Sequence, residues 1–419
     1  MPASPSTART VTCLGTAQTL AWASTYYLPA ILAAPIAADL GTSVPLVFAA
    51  FSVALVVAAL VGPWSGGLID RWGGRPVLMA TSGVFALGLA GLGLAQDRVG
   101  LFAAWVVIGL GMGSGLYESA FAALVRWRGR DARNSITGIT LFAGFASTVG
   151  WPLSTWLEAS FGWRQACFVW AGLHLLLGLP LNALLPGIGT AAVRPGTAPA
   201  DAVDAADAAD AVGPTATSPS PDGAHGAHGA DKPAAPSWRP LLILSFVFAA
   251  TWFISTAMAA HLPRLMLAAG ATAASALLVG SLIGPAQVAG RLLEFGWLRR
   301  VHPLLSARLA AAMHPLGVAV LLLGGPVFAP LFGVLHGAGN GVLTIAKGTL
   351  PLALFGSAGY GARQGWLMVP ARIAQALAPW SFGLVLDRLQ AHALWVTAGI
   401  GLSACLALWA LRSDPRPDR

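Results

Sequence analysis

The sequence predicts an all-α polytopic membrane protein with twelve transmembrane helices in two pseudo-symmetric six-helix bundles. Three observations carry that expectation. The 419 residues are 56% hydrophobic and only 10% charged, where a soluble domain carries about 25% charged residues. The apolar residues fall into twelve separated runs, and a span needs roughly 20 residues of helix to cross a hydrocarbon core. The first six runs resemble the last six.

The composition also excludes function classes. The 50 Gly and 29 Pro would weaken helices in water but are tolerated in membrane spans. A net charge of +8 is explained by basic loops, and no soluble basic domain exists to bind nucleic acid. Cys13, Cys167 and Cys405 stand far apart in apolar runs. Neither a disulfide framework nor a metal site is expected.

The runs lie at approximately 11–34, 45–68, 76–96, 99–124, 135–157, 164–186, 240–262, 272–293, 303–324, 327–350, 365–386 and 392–411. The first is too long for a cleaved leader and is read as a retained span. Of the 24 Lys and Arg, Arg98, Arg164, Arg264 and Arg388 fall on one side, and Lys347 and Arg372 fall in spans. All the others, Arg291 included, fall on the side of both termini. That bias predicts cytoplasmic termini and a bacterial inner membrane location.

Residues 188–238 differ from the rest. They are rich in Ala, Asp, Pro and Gly, with Asp201, Asp204, Asp207 and Asp210 at regular spacing. Such a segment buries too little apolar surface to fold alone and reads as a disordered cytoplasmic linker. His225 and His228 within it read as solvated loop residues. The expected organisation is therefore an amino-terminal bundle at 1–187, the linker at 188–238 and a carboxy-terminal bundle at 239–419. An offset of 226 aligns Phe102, Ala103, Gly111, Gly113, Gly115 and Ala120 with Phe328, Ala329, Gly337, Gly339, Gly341 and Ala346. Gly66-x-Leu68-x-Asp70 matches Gly290-x-Leu292-x-Glu294, and Ser24-Thr25 matches Ser255-Thr256. Repeats in a polytopic chain point to a transporter with its solute site at the repeat interface.

Between the second and third runs lies Gly66-Gly67-Leu68-Ile69-Asp70-Arg71-Trp72-Gly73-Gly74-Arg75-Pro76. Gly66 and Gly67 permit close helix approach. Asp70 is expected to cap the following helix, where a negative charge meets the positive dipole end. Gly73 or Gly74 supplies a tight turn, and Pro76 suits a first helical position. Arg71 and Arg75 are expected at headgroups or across the seam between halves. The loop, with Gly66, Asp70, Arg71, Gly73 and Arg75 in place, resembles the signature of the major facilitator superfamily, and the resemblance extends over the chain. It implies a rocker-switch fold in which this loop, with Glu294 in a degenerate second copy, latches the cytoplasmic face. Gly74 stands where the family often has a basic residue. Trp105 and Val107 occupy the places nearest a basic residue often found in helix 4. Only Gly144, Gly150 and Pro152 suggest the helix-5 pattern of many antiporters. The Gly162-Trp163-Arg164 turn is similar to that of monocarboxylate and oxalate/formate facilitators.

An ionisable side chain inside a span costs roughly 2.5–3.5 kcal/mol on insertion scales, so each asks for a reason. Glu118 is read as sharing a helical face with Gly111 and Gly115. It is either a proton carrier or one side of a structural ion pair. Asn340, Thr344 and Lys347 form a polar face in the tenth run, where Lys347 either binds an anion or snorkels to the interface. Arg372, with Gln375 nearby, is the strongest candidate for holding a carboxylate, although a buried pair with Glu118 would account for both. His174 and His336 read as packing residues. Gln18, Trp22 and Tyr26 line one face of the first run, and Trp252 and Ser255 lie in the seventh. The resemblance places spans 1, 4, 7 and 10 around a central cavity, making these candidate walls, with packing the simpler account of Trp22.

No enzyme site is expected. Gly111-Met112-Gly113-Ser114-Gly115 lies inside a span with no strand before it, and Ala346 stands where a phosphate loop needs glycine. No cofactor is implied. The leading expectation is a gradient-driven carrier of a small organic anion, a monocarboxylate for example. Its partners are the bilayer, the solute and protons, and the chain acts as a monomer. Export of toxic compounds, drugs or metalloids, is the first alternative, and a non-transporting membrane sensor the second.

Overall fold

The structure, a computed structural model, describes residues 6–187 and 238–411. Nearly all of the expected linker, with His225 and His228, lies outside the described residues. Among the described residues the chain is helical and has no strand. The first nine helices are α1 (Thr7–Ser24), α2 (Pro29–Asp39), α3 (Val44–Trp72), α4 (Gly74–Leu94), α5 (Arg98–Gly115), α6 (Tyr117–Arg128), α7 (Arg133–Ala143), α8 (Ala146–Leu173) and α9 (Leu179–Ala183). The remaining six are α10 (Trp238–Ala268), α11 (Ala273–Gly296), α12 (Pro303–Gly324), α13 (Ala329–Phe355), α14 (Tyr360–Leu389) and α15 (Ala393–Trp409). Local signals set several starts. Ser6, Asp97 and Thr272 each accept a backbone N–H from the first turn of α1, α5 and α11, satisfying donors that the helix leaves free.

Nine helical runs among the described residues are long and apolar enough to cross a membrane. Two of them, 98–183 and 360–409, have 86 and 50 residues. At roughly 20 residues per pass these are long enough for several crossings, which is consistent with the twelve expected spans. The run over 98–183 is broken at Leu116 and Gly129 and kinks at Gly162, where φ is 81°. The outer surface confirms the medium. Trp64, Leu176 and Leu323 are 77%, 82% and 80% exposed, a surface suited to lipid and costly in water.

The buried apolar residues gather into separate clusters. One draws on α1–α8 and Leu185 with Leu352 and Tyr360, and two draw on α10–α15. Glycines let the helices inside each half approach. A Cβ on Gly109 or Gly113 would press on the backbone of Ala54 or Ala58 in α3, and Gly333 and Gly337 meet Val279 and Ile283 of α11 in the same way. This corrects the register of the repeat. At an offset of 226, Gly113 would match Gly339, but Gly113 faces α3 and Gly339 faces Ala310 of α12. At 224 the contacts agree: Gly109 and Gly113 face α3 as Gly333 and Gly337 face α11, and Gly115 faces α4 as Gly339 faces α12. Gly66 and Asp70 match Gly290 and Glu294 at that same offset. Two residues are about 200° of helical rotation, so identity alone aligned opposite faces.

The expected face of Gly111, Gly115 and Glu118 is not formed. Leu116 is extended, with ψ of −165°, and separates α5 from α6. Gly111 and Gly115 press on Phe85 and Thr81 of α4, whereas Glu118 opens the first turn of a new helix. Gln18 supports the break by donating from Nε2 to the Gly115 carbonyl at 2.7 Å. Gln18→Leu is expected to strand that buried carbonyl and destabilise the fold by about 1–3 kcal/mol, read as a lower melting temperature in detergent.

The seam between the halves closes at the end carrying the 66–76 loop. α3 and α14 cross through two glycine pairs. A Cβ on Gly66 would overlap the carbonyl of Gly361, and Gly62 lies against Gly365. The Asp70 carboxylate accepts from the backbone N–H groups of Gly361 and Ala362, both at 3.0 Å. Asp70 therefore caps a helix as expected, but the helix is α14 of the other half, and α4 starts after an N-cap Gly73 with no side-chain cap. Gly73 supplies the turn at φ 81°. Pro76 is the third residue of α4, not the first. Arg71 and Arg75 are exposed, Gly67 lies near Ala362, and Gly74 packs so tightly on Ala123 that a side chain there would collide. In the second copy, Glu294 is 2% exposed and pairs at 2.7 Å with Arg133, the first residue of α7. Arg133 also donates to the carbonyls of Leu298 and Val301. Each acid thus reaches the start of a helix in the opposite half. Arg291, counted with the loop residues from sequence, is instead buried in α11 and donates to the Thr140 carbonyl.

Candidate functional site

A charged and aromatic cluster lies between the halves. Glu118 on α6 and Arg372 on α14 form an ion pair at 2.9 Å, with side chains 15% and 4% exposed. Arg372 also donates to Gln375 Oε1 at 3.1 Å, and Gln375 Nε2 donates to the Tyr26 hydroxyl at 3.0 Å. Lys347 of α13 places its Nζ 4.0 Å from the ring centroid of Trp252, and the Arg372 guanidinium lies 5.5 Å from the same centroid. Trp22 stacks parallel to Trp252 at 6.4 Å, and Tyr117 and Tyr26 pack on Trp22 at 4.8 and 5.2 Å. The Nε1 donors of Trp22 and Trp252 are buried and have no partner among the described residues. Side chains from α1, α6, α10, α13 and α14 thus meet at one point, contributed by both halves.

The sequence candidates divide. Glu118, Arg372, Gln375, Tyr26, Lys347 and Trp252 come together. Gln18 does not; it lines a separate cavity inside the amino half. Asn340 lines a cavity inside the carboxy half with His314 and His336, and Thr344 donates to the Asn340 carbonyl, so the proposed polar face of α13 is split. Ser255 is half-buried and makes none of the cluster's contacts. Lys347 does not snorkel, being 5% exposed. Trp22, set aside from sequence as packing, sits in the cluster, and Tyr117 was missed. A Trp followed by Tyr four residues on is the sequence signal for Trp22, and ordinary packing produces the same pattern; Tyr117 carries no such signal.

The charges do not balance. Among the described residues Glu118 pairs with Arg372 alone, and Lys347 has no ion pair. With both bases protonated, the cluster carries one positive charge more than its carboxylate neutralises. A cation above an indole face gains about 2 kcal/mol when desolvated, a partial compensation that leaves room for an anion. Lys347→Met is expected to remove the cation from Trp252 and change its tryptophan emission while the melting temperature stays within a few degrees, since Met keeps the packed stem.

Relatives and the family corroborate the architecture. The description of the Major Facilitator Superfamily matches residues 14–332. The chain is 31% identical over 137 residues to multidrug resistance protein MdtH of Aeromonas hydrophila, covering 32% of this chain and 34% of that protein. It is 31% identical over 155 residues to monocarboxylate transporter 11 of Homo sapiens, covering 36% of this chain and 31% of that one. The matches span about a third of the length of these curated relatives. The crystal structure of the human organic anion transporter MFSD10 (TETRAN) superposes with a TM-score of 0.65 at 17% identity, covering 96% of this chain and 100% of that chain. That likeness speaks for the fold alone. The family match over most of the chain, the lipid-suited surface and the site shared by two helical halves lead to one conclusion: this protein belongs to the major facilitator superfamily and is an integral membrane protein.

Proposed function

We propose that the protein carries a small organic anion by alternating access, coupled to protons. The observation that carries this reading is the excess positive charge of Lys347 and Arg372 over Glu118 at the seam. Arginine holds a carboxylate with two parallel hydrogen bonds, and here Glu118 occupies one of the guanidinium nitrogens. Protonation of Glu118 frees that nitrogen for the solute's carboxylate, so proton and anion bind together. Trp22, Trp252 and Tyr26 then cover the apolar part of the solute, and the indole N–H donors add to its recognition.

Alternating access follows from the seam. Hydrogen bonds between the halves are found at the loop-end contacts, at the Arg291–Thr140 contact and in the cluster itself. In this reading the loop at 66–76 and Glu294 latch the inward gate, and solute enters from the opposite side. In the same reading both termini lie in the cytoplasm of a bacterial inner membrane, which the excess of basic residues in the loops on that side supports. The chain acts as a monomer of two bundles, 1–187 and 239–419, joined by the 188–238 linker. Relatives named for monocarboxylate and sulfoacetate transport support the anion class.

The test is uptake of a panel of radiolabelled monocarboxylates and sulfonates into proteoliposomes. Uptake driven by an inward proton gradient, abolished in Arg372→Ala and independent of the gradient in Glu118→Gln, is expected. Anion uptake indifferent to pH and intact in Arg372→Ala overturns the mechanism. The likeness to MdtH favours a second reading, export of toxic compounds. Drug resistance in an expressing host, with no anion uptake by the purified protein, would establish it instead.

A further inference from the structure

The amino half encloses a cavity of its own, away from the inter-half cluster. Gln18 of α1, Thr81 and Ser82 of α4, Asn182 of α9, and His174 and Gly178 line it. The space suits about one water-sized occupant. Two backbone irregularities meet there. One is the break after Gly115, whose carbonyl Gln18 holds. The other is a π-turn over His174–Gly178, a feature found frequently at functional sites.

The hydrogen bonds around this cavity leave acceptors without donors. Gln18 spends Nε2 on the Gly115 carbonyl at 2.7 Å. Asn182 Nδ2 donates to the Leu78 carbonyl and to Ser82 Oγ, at 3.2 and 3.1 Å. The hydroxyls of Ser82 and Thr81 donate to the carbonyls of Leu78 and Val77. Ser24 Oγ donates to the Leu20 carbonyl at 2.8 Å, so it accepts from His174 Nε2–H at 2.8 Å. In that tautomer His174 Nδ1 is a further acceptor. What remains is Gln18 Oε1 and Asn182 Oδ1, both buried without a partner among the described residues. Their residues are 2% and 7% exposed. A Cβ on Gly178 would sit 3.4 Å from His174 Nδ1 and 3.6 Å from Ser82 Oγ, so glycine keeps the space open.

We propose that this cavity binds a single dehydrated monovalent cation of the Na⁺ or K⁺ class, with Gln18 Oε1 and Asn182 Oδ1 as its principal ligands and Ser82 Oγ beside them. Neutral hard oxygens suit such an ion. An anion would find no donor. A divalent ion draws carboxylates, and none lines this cavity. Orphaned buried acceptors are costly, and a cation satisfies both at once. Broken or unwound helix segments are a recurrent way of presenting such ligands inside a membrane. The site lies within one half and does not depend on the anion reading.

The experiment uses the whole purified chain in detergent. The protein is equilibrated in choline chloride and titrated with NaCl, KCl or LiCl at constant ionic strength, following the melting temperature and bound ²²Na⁺ or ⁸⁶Rb⁺. Expected is saturable binding of one ion per chain, with melting raised by about 1–2 °C at tenfold excess over the dissociation constant. Asn182→Leu should abolish binding, and Gly178→Ala, a milder change, should weaken it at least tenfold. No alkali-cation binding by the unmodified chain, meaning that water alone fills the space, overturns the proposal. So does a melting shift that follows pH only, which would place a proton on His174. Binding unchanged in Gly178→Ala overturns it as well.

Discussion

Replacing Gly66 by Val is expected to keep the loop end of the transporter from closing and to abolish transport. The reason is steric and local. Gly62 and Gly66 on α3 meet Gly365 and Gly361 on α14, and a Cβ on Gly66 would overlap the Gly361 carbonyl. Backbone cannot swing aside as a flexible side chain does. Overpacking of about 1–3 kcal/mol applied to one conformation shifts the closed-to-open balance about 5- to 150-fold. Separating the helices by one methyl layer also breaks the hydrogen bonds from Gly361 and Ala362 to Asp70. Crosslinking checks this directly. A Cβ on Gly67 would lie 4.0 Å from the Ala362 Cβ, within disulfide range. Gly67→Cys with Ala362→Cys is therefore expected to crosslink under mild oxidation. The native Cys13, Cys167 and Cys405 are buried and free and should not compete. The same pair in a Gly66→Val background should crosslink poorly. Efficient crosslinking there would show that the halves close without the glycine contact.

Arg372→Ala is expected to be the most damaging single change at the cluster. It leaves the Glu118 carboxylate buried without its partner, and removing one member of a buried pair costs about 3–5 kcal/mol. The Gln375 Oε1 acceptor loses its donor too, and the Gln375–Tyr26 link between halves loosens with it. The double variant Arg372→Leu with Glu118→Leu should recover most of the stability, because apolar side chains of similar volume replace a buried pair at little cost. Transport should not recover, because no cation is left at that point to hold the anion. Melting curves and proteoliposome uptake on the same preparations separate the two effects. A double variant as unstable as Arg372→Ala would mean that the pair is not the source of the loss.

The internal repeat illustrates how far one sequence can be read. Two similar halves and the match of Asp70 to Glu294 were legible because those residues recur at equivalent places. The register of α5 against α13 was not, because glycine identity does not say which way a glycine faces. Contact direction moved the alignment by two residues, and only then did it share the offset of the loop motif. The helix break at Leu116 was hidden for a related reason. An extended residue inside an apolar run leaves composition unchanged, and the break is supported by Gln18 from another helix.

Asp70 shows the same division on a smaller scale. Its chemistry was evident from sequence: a carboxylate suited to free N–H groups at a helix start. The helix it caps lies 291 residues further along the chain.

The sequence by itself determined that this is a membrane-embedded helical protein of two similar halves, because bilayer thickness and burial of apolar surface act on each stretch of chain locally. It also named Glu118, Lys347 and Arg372, since charge inside a span stands out wherever it occurs. Only the tertiary structure decided which of these meet, that Trp22 and Trp252 lie between them, and that Gln18 and Asn340 belong to separate cavities. Partner choice depends on how helices rotate and cross, and that is set by the packing of all of them together.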